Sequence, residues 1–512
     1  DAARARHPHI PLPRDLYGPE RKNSTGVEFG HQASLDALLD EVRAATASST
    51  PPADADDMGA HAAMAEARAA FPAWQARPVA ERAAILERAA DLMEGRRGGL
   101  IALMQSEGGK TLDDCVAEVR EAVDFCRYYA VEARLALAPQ RLPGPTGESN
   151  ELGYRGRGVF VCISPWNFPL SIFVGQVAAA LVAGNTVAAK PAEQTPLVAA
   201  EAVRILHEAG VPAEALQLVI GDGRIGAALV SDRHTAGVAF TGSTEVARAI
   251  NRVLAGKDQP IVPLIAETGG INPMIVDATA LPEQVTDDVV TSAFRSAGQR
   301  CSALRLLCVQ EDVADRIVEM IAGAARELKL GNPSDPATHV GPAIDAEAKQ
   351  KLDRWIAAMD RQGRVRFRWD AFKPLPDGLF VPPTIVALDR ARDLKEEVFG
   401  PILHVVRWRA EALDALLDDI AANNYALTFG IHSRIDDTVE KIVARIPHGN
   451  VYVNRSMIGA VVGTQPFGGT LLSGTGPKAG GANYLRRFST DQTVTVNTAA
   501  AGGNASLLTA EE

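Results

Sequence analysis

The chain has 512 residues, 46% of them hydrophobic and 22% charged, and carries a formal net charge of -11. That length exceeds one simple core and accommodates two or three domains, and the balance is that of an ordinary globular protein rather than a disordered one. The acidic surplus argues against a nucleic-acid binder, and no run approaches the ~20 apolar residues that a membrane helix needs.

In chain order, residues 1–30 are rich in Pro, Arg and Gly and read as an extended leader over the surface, without a signal peptide. The chain begins on Asp1 rather than Met, which suggests an excised piece of a longer protein. His7 and His9 sit in this leader and read as solvated side chains rather than metal ligands. Residues 33–48 and 60–136 have helical texture, with Ala, Leu, Glu and Arg dominant and few β-branched residues. A breaker follows at 139–147, with Pro143 and Pro145 inside it.

From 157 the texture changes. Runs at 159–163, 186–189, 216–220, 237–240 and 261–266 predict strands, and 196–209, 224–231 and 244–255 predict helices between them. This alternation predicts parallel βαβ units and a doubly wound sheet. The pattern resumes with a strand at 306–309, a helix at 312–328 and a further α/β run to about 482. Residues 484–497 alternate like an exposed strand that wants a partner, and 498–512 read as a flexible end. The expected architecture is α/β: two α/β domains plus a strand-like arm.

Five cysteines, Cys115, Cys126, Cys162, Cys301 and Cys308, form no short paired spacing and read as reduced cytoplasmic thiols. No CxxC or Cys/His cluster has metal spacing, so no metal is expected. Residues 221–226 spell GxGxxG between a predicted strand and a helix, as in a pyrophosphate-binding turn. Any tight strand-to-helix turn favours glycine, however, and the acidic residue due ~20 positions later would be Glu245, inside a helix start.

Six other segments say more. They are Pro165-Trp166-Asn167-Phe168-Pro169, Lys190-Pro191-Ala192-Glu193, Glu267-Thr268-Gly269-Gly270 and Gly298-Gln299-Arg300-Cys301, then Glu396-Glu397-Val398-Phe399-Gly400-Pro401 and Pro466-Phe467-Gly468-Gly469. Their order and spacing resemble the aldehyde dehydrogenase superfamily over nearly the whole chain. The resemblance implies a Rossmann-like NAD-binding domain and an α/β catalytic domain with a β-strand oligomerisation arm. On that frame, 1–138 hold the leader and the helical part of the NAD-binding domain, 139–156 the first part of the arm, and 157–270 the Rossmann-like domain. Residues 271–483 are the catalytic domain, 484–497 the second part of the arm and 498–512 a tail.

The chemistry needs these residue types. A carbonyl carbon does not readily release hydride, so oxidising an aldehyde first requires a tetrahedral adduct, which a thiolate supplies as a hemithioacetal before a thioester forms. Cys301 matches the family's nucleophile, whereas Cys162 and Cys308 lie inside apolar runs and read as inert. By the same resemblance, the Asn167 amide and the Cys301 backbone N–H stabilise the oxyanion. Glu267 matches the general base that activates water on the thioester. Lys190 and Glu193 match residues holding the adenosine ribose, and a carboxylate there favours NAD over NADP. Ser243, with Gly242 before it, caps a predicted helix and matches a pyrophosphate contact. Glu397, Phe399 and Trp166 fall on the cofactor side as well.

Leu16-Tyr17-Gly18-Pro19-Glu20-Arg21, the stretch 293–305 and the run 468–476 resemble one branch. It is that of the L-glutamate γ-semialdehyde dehydrogenase domains joined to a proline dehydrogenase domain in bifunctional proline-utilization proteins. There, Gly459, Ala460 and Ser302 match the group that holds the amino-acid end, since backbone amides at a glycine turn make a carboxylate nest. Arg300 adds positive charge nearby or is buried in a structural ion pair. Phe168 and Phe467 sandwich the aliphatic part of the substrate or simply pack the core. Two departures, Thr268 within the Glu-Thr-Gly-Gly segment and Ala247 closing the GSTxxG pattern, remove no chemical group. Two other readings stay open: a dehydrogenase for succinic semialdehyde or a simple aliphatic aldehyde, and a non-catalytic module of the same fold. The presence of Cys301, Glu267 and Asn167 argues against the module. A homodimer, a small-molecule aldehyde and a proline dehydrogenase domain in the parent chain are the expected partners.

Overall fold

Helix Gln32–Ala44 comes first in the helical part, and a capping aspartate starts the next helix: Asp56 accepts from the Gly59 amide at 2.7 Å and opens Asp57–Gln75. The computed structural model describes residues 9–45, 50, 53–369 and 378–501. His7 and most of the 498–512 tail lie outside the described residues. Helices Val79–Gly95, Arg97–Gly108 and Leu112–Ala136 follow. The last packs on helix Ser171–Val182, which is apolar and buried almost all round and so belongs inside a core.

The breaker at 139–147 itself contains β1 (Gln140–Leu142), and residues 143–147 turn it back onto β2 (Glu148–Gly156), an antiparallel pair. Next come β3 (Val159–Ile163), β4 (Thr186–Lys190), β5 (Leu216–Leu218), β6 (Thr235–Thr241) and β7 (Leu264–Glu267). These pair in parallel in the order β5-β4-β3-β6-β7. The β3 and β4 side chains are buried on both faces, which is why those runs are continuously apolar rather than alternating. Strand β7 starts at Leu264, not at 261: Pro260 and Pro263 deny the sheet two donors, and Ile261 stands 100% exposed.

The second sheet is built from β8 (Asn272–Val276), β9 (Leu304–Gln310), β10 (Val365–Arg368), β11 (Thr384–Ala387) and β12 (Ile402–Trp408). Past a short strand β13 (Tyr425–Ala426), it adds β14 (Thr428–His432) and β15 (Asn450–Val453). The order is β10-β11-β12-β9-β8-β14-β15, with β10 antiparallel and the rest parallel. Helices Pro282–Phe294 and Glu311–Arg326 share a core with one face, and Ala346–Arg361 and Leu413–Ala421 with the other. Strand β16 (Thr470–Leu471) pairs with β13.

The alternating run at 484–497 divides in two. Tyr484–Phe488 is helical, because Tyr484, Leu485 and Phe488 all turn into the core, a spacing that one helix face satisfies and one strand face does not. Tyr484 stacks on Tyr129 at 5.7 Å between centroids, and Phe488 lies 4.9 Å from Phe160. Strand β17 (Ser489–Asn497) then pairs antiparallel with β2 along its whole length, so the alternation finds a partner within the chain. The leader departs from a purely superficial course, since Arg21, Asn23 and Ser24 are buried. No helix among the described residues is long and apolar enough to cross a membrane.

Candidate active site

In the first sheet the strand order reverses between β3 and β6, which opens a crevice outside their carboxyl ends where open α/β sheets take ligands. The residues singled out by sequence fall at those ends. Pro165, Trp166 and Asn167 follow β3, Gly242 and Ser243 follow β6, Lys190 ends β4 and Glu267 ends β7. The thiol arrives from the other sheet. Residues 268–271 carry the chain from β7 into β8, and Cys301 stands just ahead of β9, whose Leu304 pairs with Asn272. Register therefore brings Cys301 beside the end of β7. A cavity of about 630 Å³ is lined there by Cys301, Glu267 and Asn167.

The Cys301 backbone is held by a buried asparagine that the sequence reading passed over. Asn272 Nδ2 donates to the Cys301 carbonyl at 2.6 Å and to that of Ala303 at 2.9 Å, and its Oδ1 accepts from the Thr428 amide at 3.2 Å. Asn167 Nδ2 donates to the Gln299 carbonyl at 3.0 Å, which ties the 165–169 loop to the thiol's own loop. That loop is pinned at both ends: Lys110 Nζ donates to the Asn167 carbonyl at 2.6 Å, and Glu118 accepts from the Leu170 amide at 2.7 Å. Lys110 and Glu118 themselves pair at 3.0 Å.

Burial pushes the Cys301 thiol up to about 12, and Glu397 and Glu267 push the same way against Arg305 and Arg300. It is protonated at rest, and positive charge entering the cavity favours the thiolate. Burial also raises Glu267 well above the usual carboxyl range, with the Gly469 amide and Lys478 offsetting only part of this. Its Oε2 accepts from Gly469 N at 3.1 Å, while its buried Oε1 has no protein partner. A carboxyl with one oxygen fixed and one free is suited to binding and deprotonating water.

Arg305 is the second residue passed over. Its side chain is wholly buried, with Nη1 donating to the Gly298 and Gly400 carbonyls at 2.6 and 3.1 Å. Nη2 donates to the Arg300 carbonyl at 2.9 Å and reaches Glu397 Oε1 at 3.4 Å. One guanidinium thus joins the thiol's loop to the loop bearing Glu397 and Phe399. The available signal was an arginine inside the apolar run Leu304-Arg305-Leu306-Leu307, because buried charge is rare without a task. A Cβ at Gly269 would run into the Glu397 carboxylate, so glycine is required at that approach. Trp166 meets Phe399 edge-on at 5.5 Å.

Ser302, Gly459, Ala460, Phe168 and Phe467 line the same cavity. Arg300 lines it as well and is also held in an ion pair: Nη2 meets Asp114 at 2.5 Å, and Nε donates to Ser296 Oγ at 2.6 Å. Burial works against ionised Asp114, but Arg300, Arg295 and Lys110 together hold its carboxyl well below the usual range. Glu121, a third residue passed over, also lines the cavity, and burial raises its carboxyl to about 7. Lys190 and Glu193 stand apart from this lining, around the end of β4. Lys190 Nζ donates to the Pro191 carbonyl at 3.1 Å, burial lowers its pKa, and Glu193 is exposed. Ser243 caps helix Thr244–Ala255, accepting from Val246 N at 3.2 Å. In the GxGxxG turn Asp222 caps the helix after the edge strand β5, and a Cβ at Gly226 would lie 3.4 Å from Lys190 Cδ, so the turn packs against Lys190.

The aldehyde dehydrogenase family matches residues 39–494. The bifunctional protein PutA of Klebsiella aerogenes is 49% identical over 520 residues, covering 94% of this chain and 39% of that protein. Among solved structures, a bifunctional proline utilization A (PutA) protein has a TM-score of 0.95 at 66% identity, over 97% of this chain and 50% of that one. The 1-pyrroline-5-carboxylate dehydrogenase from Thermus with bound NAD has a TM-score of 0.86 at 32% identity, over 94% of this chain and 100% of that one. The chain spans 39% and 50% of these two PutA proteins and is similar to the Thermus enzyme over that enzyme's whole length.

Proposed function

The chain belongs to the aldehyde dehydrogenase family, and we propose that it oxidises L-glutamate γ-semialdehyde, the open form of 1-pyrroline-5-carboxylate, to L-glutamate with NAD. The observation that carries this reading is one cavity bordered by the thiol, carboxyl and amide of the chemistry and also by groups suited to an amino acid. Amides around Gly459 and Ala460 suit the substrate's carboxylate. Glu121 suits its ammonium, which would draw that carboxyl back to the ionised form. Phe168 and Phe467 suit the aliphatic chain between.

The crevice at β3 and β6 fits a dinucleotide. The strands diverge there, glycines leave room at 242 and 269, and Ser243 opens a helix N-terminus. Lys190 and Glu193 would hold the adenosine ribose, Gly242 and Ser243 the pyrophosphate, and Glu397, Phe399 and Trp166 the nicotinamide end. The oxidised nicotinamide supplies the hydride acceptor and a positive charge. The Cys301 thiol loses its proton to bulk water, the thiolate attacks the carbonyl carbon, and the resulting oxyanion is met by the Asn167 amide and the Cys301 N–H. Loss of hydride leaves a thioester on Cys301. In its ionised form Glu267 takes a proton from water, the hydroxide attacks the thioester, and glutamate leaves as that proton passes to the departing sulfur and the thiol re-forms. The exposed edge of β17, where Val494 and Val496 are half exposed, suits pairing with a second copy in a homodimer. A proline dehydrogenase domain in the parent chain is the partner expected to supply substrate.

NADH formation with pyrroline-5-carboxylate, succinic semialdehyde and propanal tests this reading. The expected kcat/KM favours the first by about a hundredfold or more, because succinic semialdehyde lacks the ammonium and propanal lacks both charged groups that the site would pair. Equal turnover of all three would leave the family chemistry standing and overturn the substrate.

A further inference from the structure

The leader motif Leu16-Tyr17-Gly18-Pro19-Glu20-Arg21 has no part in the chemistry above, yet its arginine is 92% withdrawn from solvent, being 8% exposed. Arg21 makes no salt bridge among the described residues. Its guanidinium stacks 3.6 Å from the Tyr17 ring centroid and 5.3 Å from that of Tyr128. Its Nη2 donates to the Val462 carbonyl at 3.0 Å. Val462 lies two residues beyond Ala460, on the loop whose Gly459 and Ala460 line the cavity. The Tyr17 hydroxyl reaches Thr464 Oγ1 of the same loop at 3.3 Å. Gly463 has a φ of +79°, and a Cβ there would strike the guanidinium and the Tyr128 ring. Loop and arginine are therefore fitted to each other as closely as backbone allows.

The two sides of this loop are held differently. On the near side the Met457 amide donates to Ser292 Oγ at 3.1 Å, and Arg300 reaches the Ile458 carbonyl at 3.5 Å, both from the catalytic sheet's surroundings. On the far side the leader shares the holding with the Gly463 amide's bond to the Gly480 carbonyl at 2.9 Å and the Asn450 side-chain amide's bond to the Pro466 carbonyl at 3.0 Å, and the leader is itself anchored to helix Leu112–Ala136. The Ser24 amide and hydroxyl donate to the two Asp124 oxygens at 3.0 and 2.7 Å, and Arg127 reaches the Asn23 carbonyl at 3.3 Å. The same helix carries Glu121 and Phe125 into the cavity. Leader, helix and loop form one unit around the end of the cavity that would receive the amino-acid group.

We propose that residues 17–24 are a strap that positions the 457–466 loop, with Arg21 as its positioning residue, so that selection of an amino-acid aldehyde depends on a segment that does not touch it. This rests on the glutamate semialdehyde reading above. A positively charged donor that is lost from a buried carbonyl, together with its aromatic stacking, leaves the loop free to shift. A shift of that kind weakens carboxylate capture without altering the thiol's surroundings.

The test uses the full chain with Arg21→Ala, Arg21→Lys and Tyr17→Phe, measured against glutamate semialdehyde and propanal. For Arg21→Ala the KM for glutamate semialdehyde is expected to rise about tenfold, with its kcat, propanal kcat/KM and the NAD Kd all within about twofold. Arg21→Lys keeps a donor but not the stacked plane and should recover part of the loss. Hydrogen exchange of the 457–466 amides should accelerate in Arg21→Ala. Equal losses on both aldehydes, or an unchanged KM, overturn the strap. Should Arg21→Ala fail to fold, Arg21→Lys and Tyr17→Phe carry the same comparison. A wild-type enzyme without preference for glutamate semialdehyde removes the substrate reading, whereas a preference and an exchange pattern unaffected by the variants remove the strap alone.

Discussion

The two ends of the active-site cavity are held in place by different means. The thiol end is fixed from within: Asn272 holds the Cys301 carbonyl, Asn167 the Gln299 carbonyl and Arg305 the carbonyls of Gly298 and Arg300, all from groups set on or beside buried strands. The far end is an irregular loop at 457–466, clamped from the outside by Arg21 and Tyr17 of the leader. Strand ends place reacting groups reproducibly, whereas a surface-clamped loop can change its selectivity without disturbing them. Substitutions at the thiol end should therefore affect every aldehyde, and those at the far end only aldehydes bearing an amino-acid group.

The largest effect expected is from Cys301→Ala, which removes the sulfur proposed to bond to substrate. Turnover of every aldehyde should fall by about 10⁴-fold or more while the NAD Kd, measured by titration, stays put. Retained turnover would break the comparison at its root. Asn167→Ala should lower kcat by about 10²–10³-fold for glutamate semialdehyde and propanal alike, since an oxyanion donor serves any carbonyl. A loss confined to one aldehyde would place Asn167 at the wrong end.

Arg305→Met leaves the Glu397 carboxylate buried without its cation and strips three carbonyls, those of Gly298, Gly400 and Arg300, of a donor. A cost of about 3 kcal/mol in the denaturant-unfolding free energy is expected, with kcat falling for both aldehydes. Glu397 is already raised by burial, with Arg305 the main opposing influence. Its carboxyl should therefore become still harder to ionise in that variant.

The smallest effect sharpens the far end. Glu121 carries a carboxyl raised to about 7 by burial. As pH falls through that value the group gains a proton and loses its attraction for an ammonium. KM for glutamate semialdehyde should then rise as pH drops from about 8 to 6, by up to about tenfold. Glu121→Gln should flatten that dependence, and propanal should show none of it.

Much of the frame was readable from the chain, for a physical reason in each case. Parallel strands covered on both faces must be continuously apolar, so β3 and β6 announce themselves, and the chemistry follows because strand ends carry it. Motif residues such as Asn167, Glu267 and Cys301 are close to an element's end in sequence and therefore close to the crevice in space. The residues passed over act over long sequence separations. Asn272 and Arg305 look like isolated polar positions until pairing of β8 with β9 shows what their side chains hold. Glu121 looks like one more helical glutamate until its helix packs against the cavity. The run 484–488 misleads because the spacing of Tyr484, Leu485 and Phe488 only favours a helix once the core they enter is known. Arg300 could be read as a charge beside the substrate or an ion-pair member, and the fold gives it both a place on the cavity wall and the pair with Asp114, which no sequence spacing between 114 and 300 announces.

The central claim is that Cys301 bonds to the aldehyde and Glu267 releases the product by activating water. Glu267→Gln, mixed rapidly with NAD and pyrroline-5-carboxylate and then quenched for peptide mass spectrometry, tests it most directly. The account expects a burst of about one NADH per site followed by slow turnover, with a glutamyl adduct on the peptide containing Cys301 and none in the Cys301→Ala variant. A burst without an adduct, or an adduct on any other residue, would contradict it.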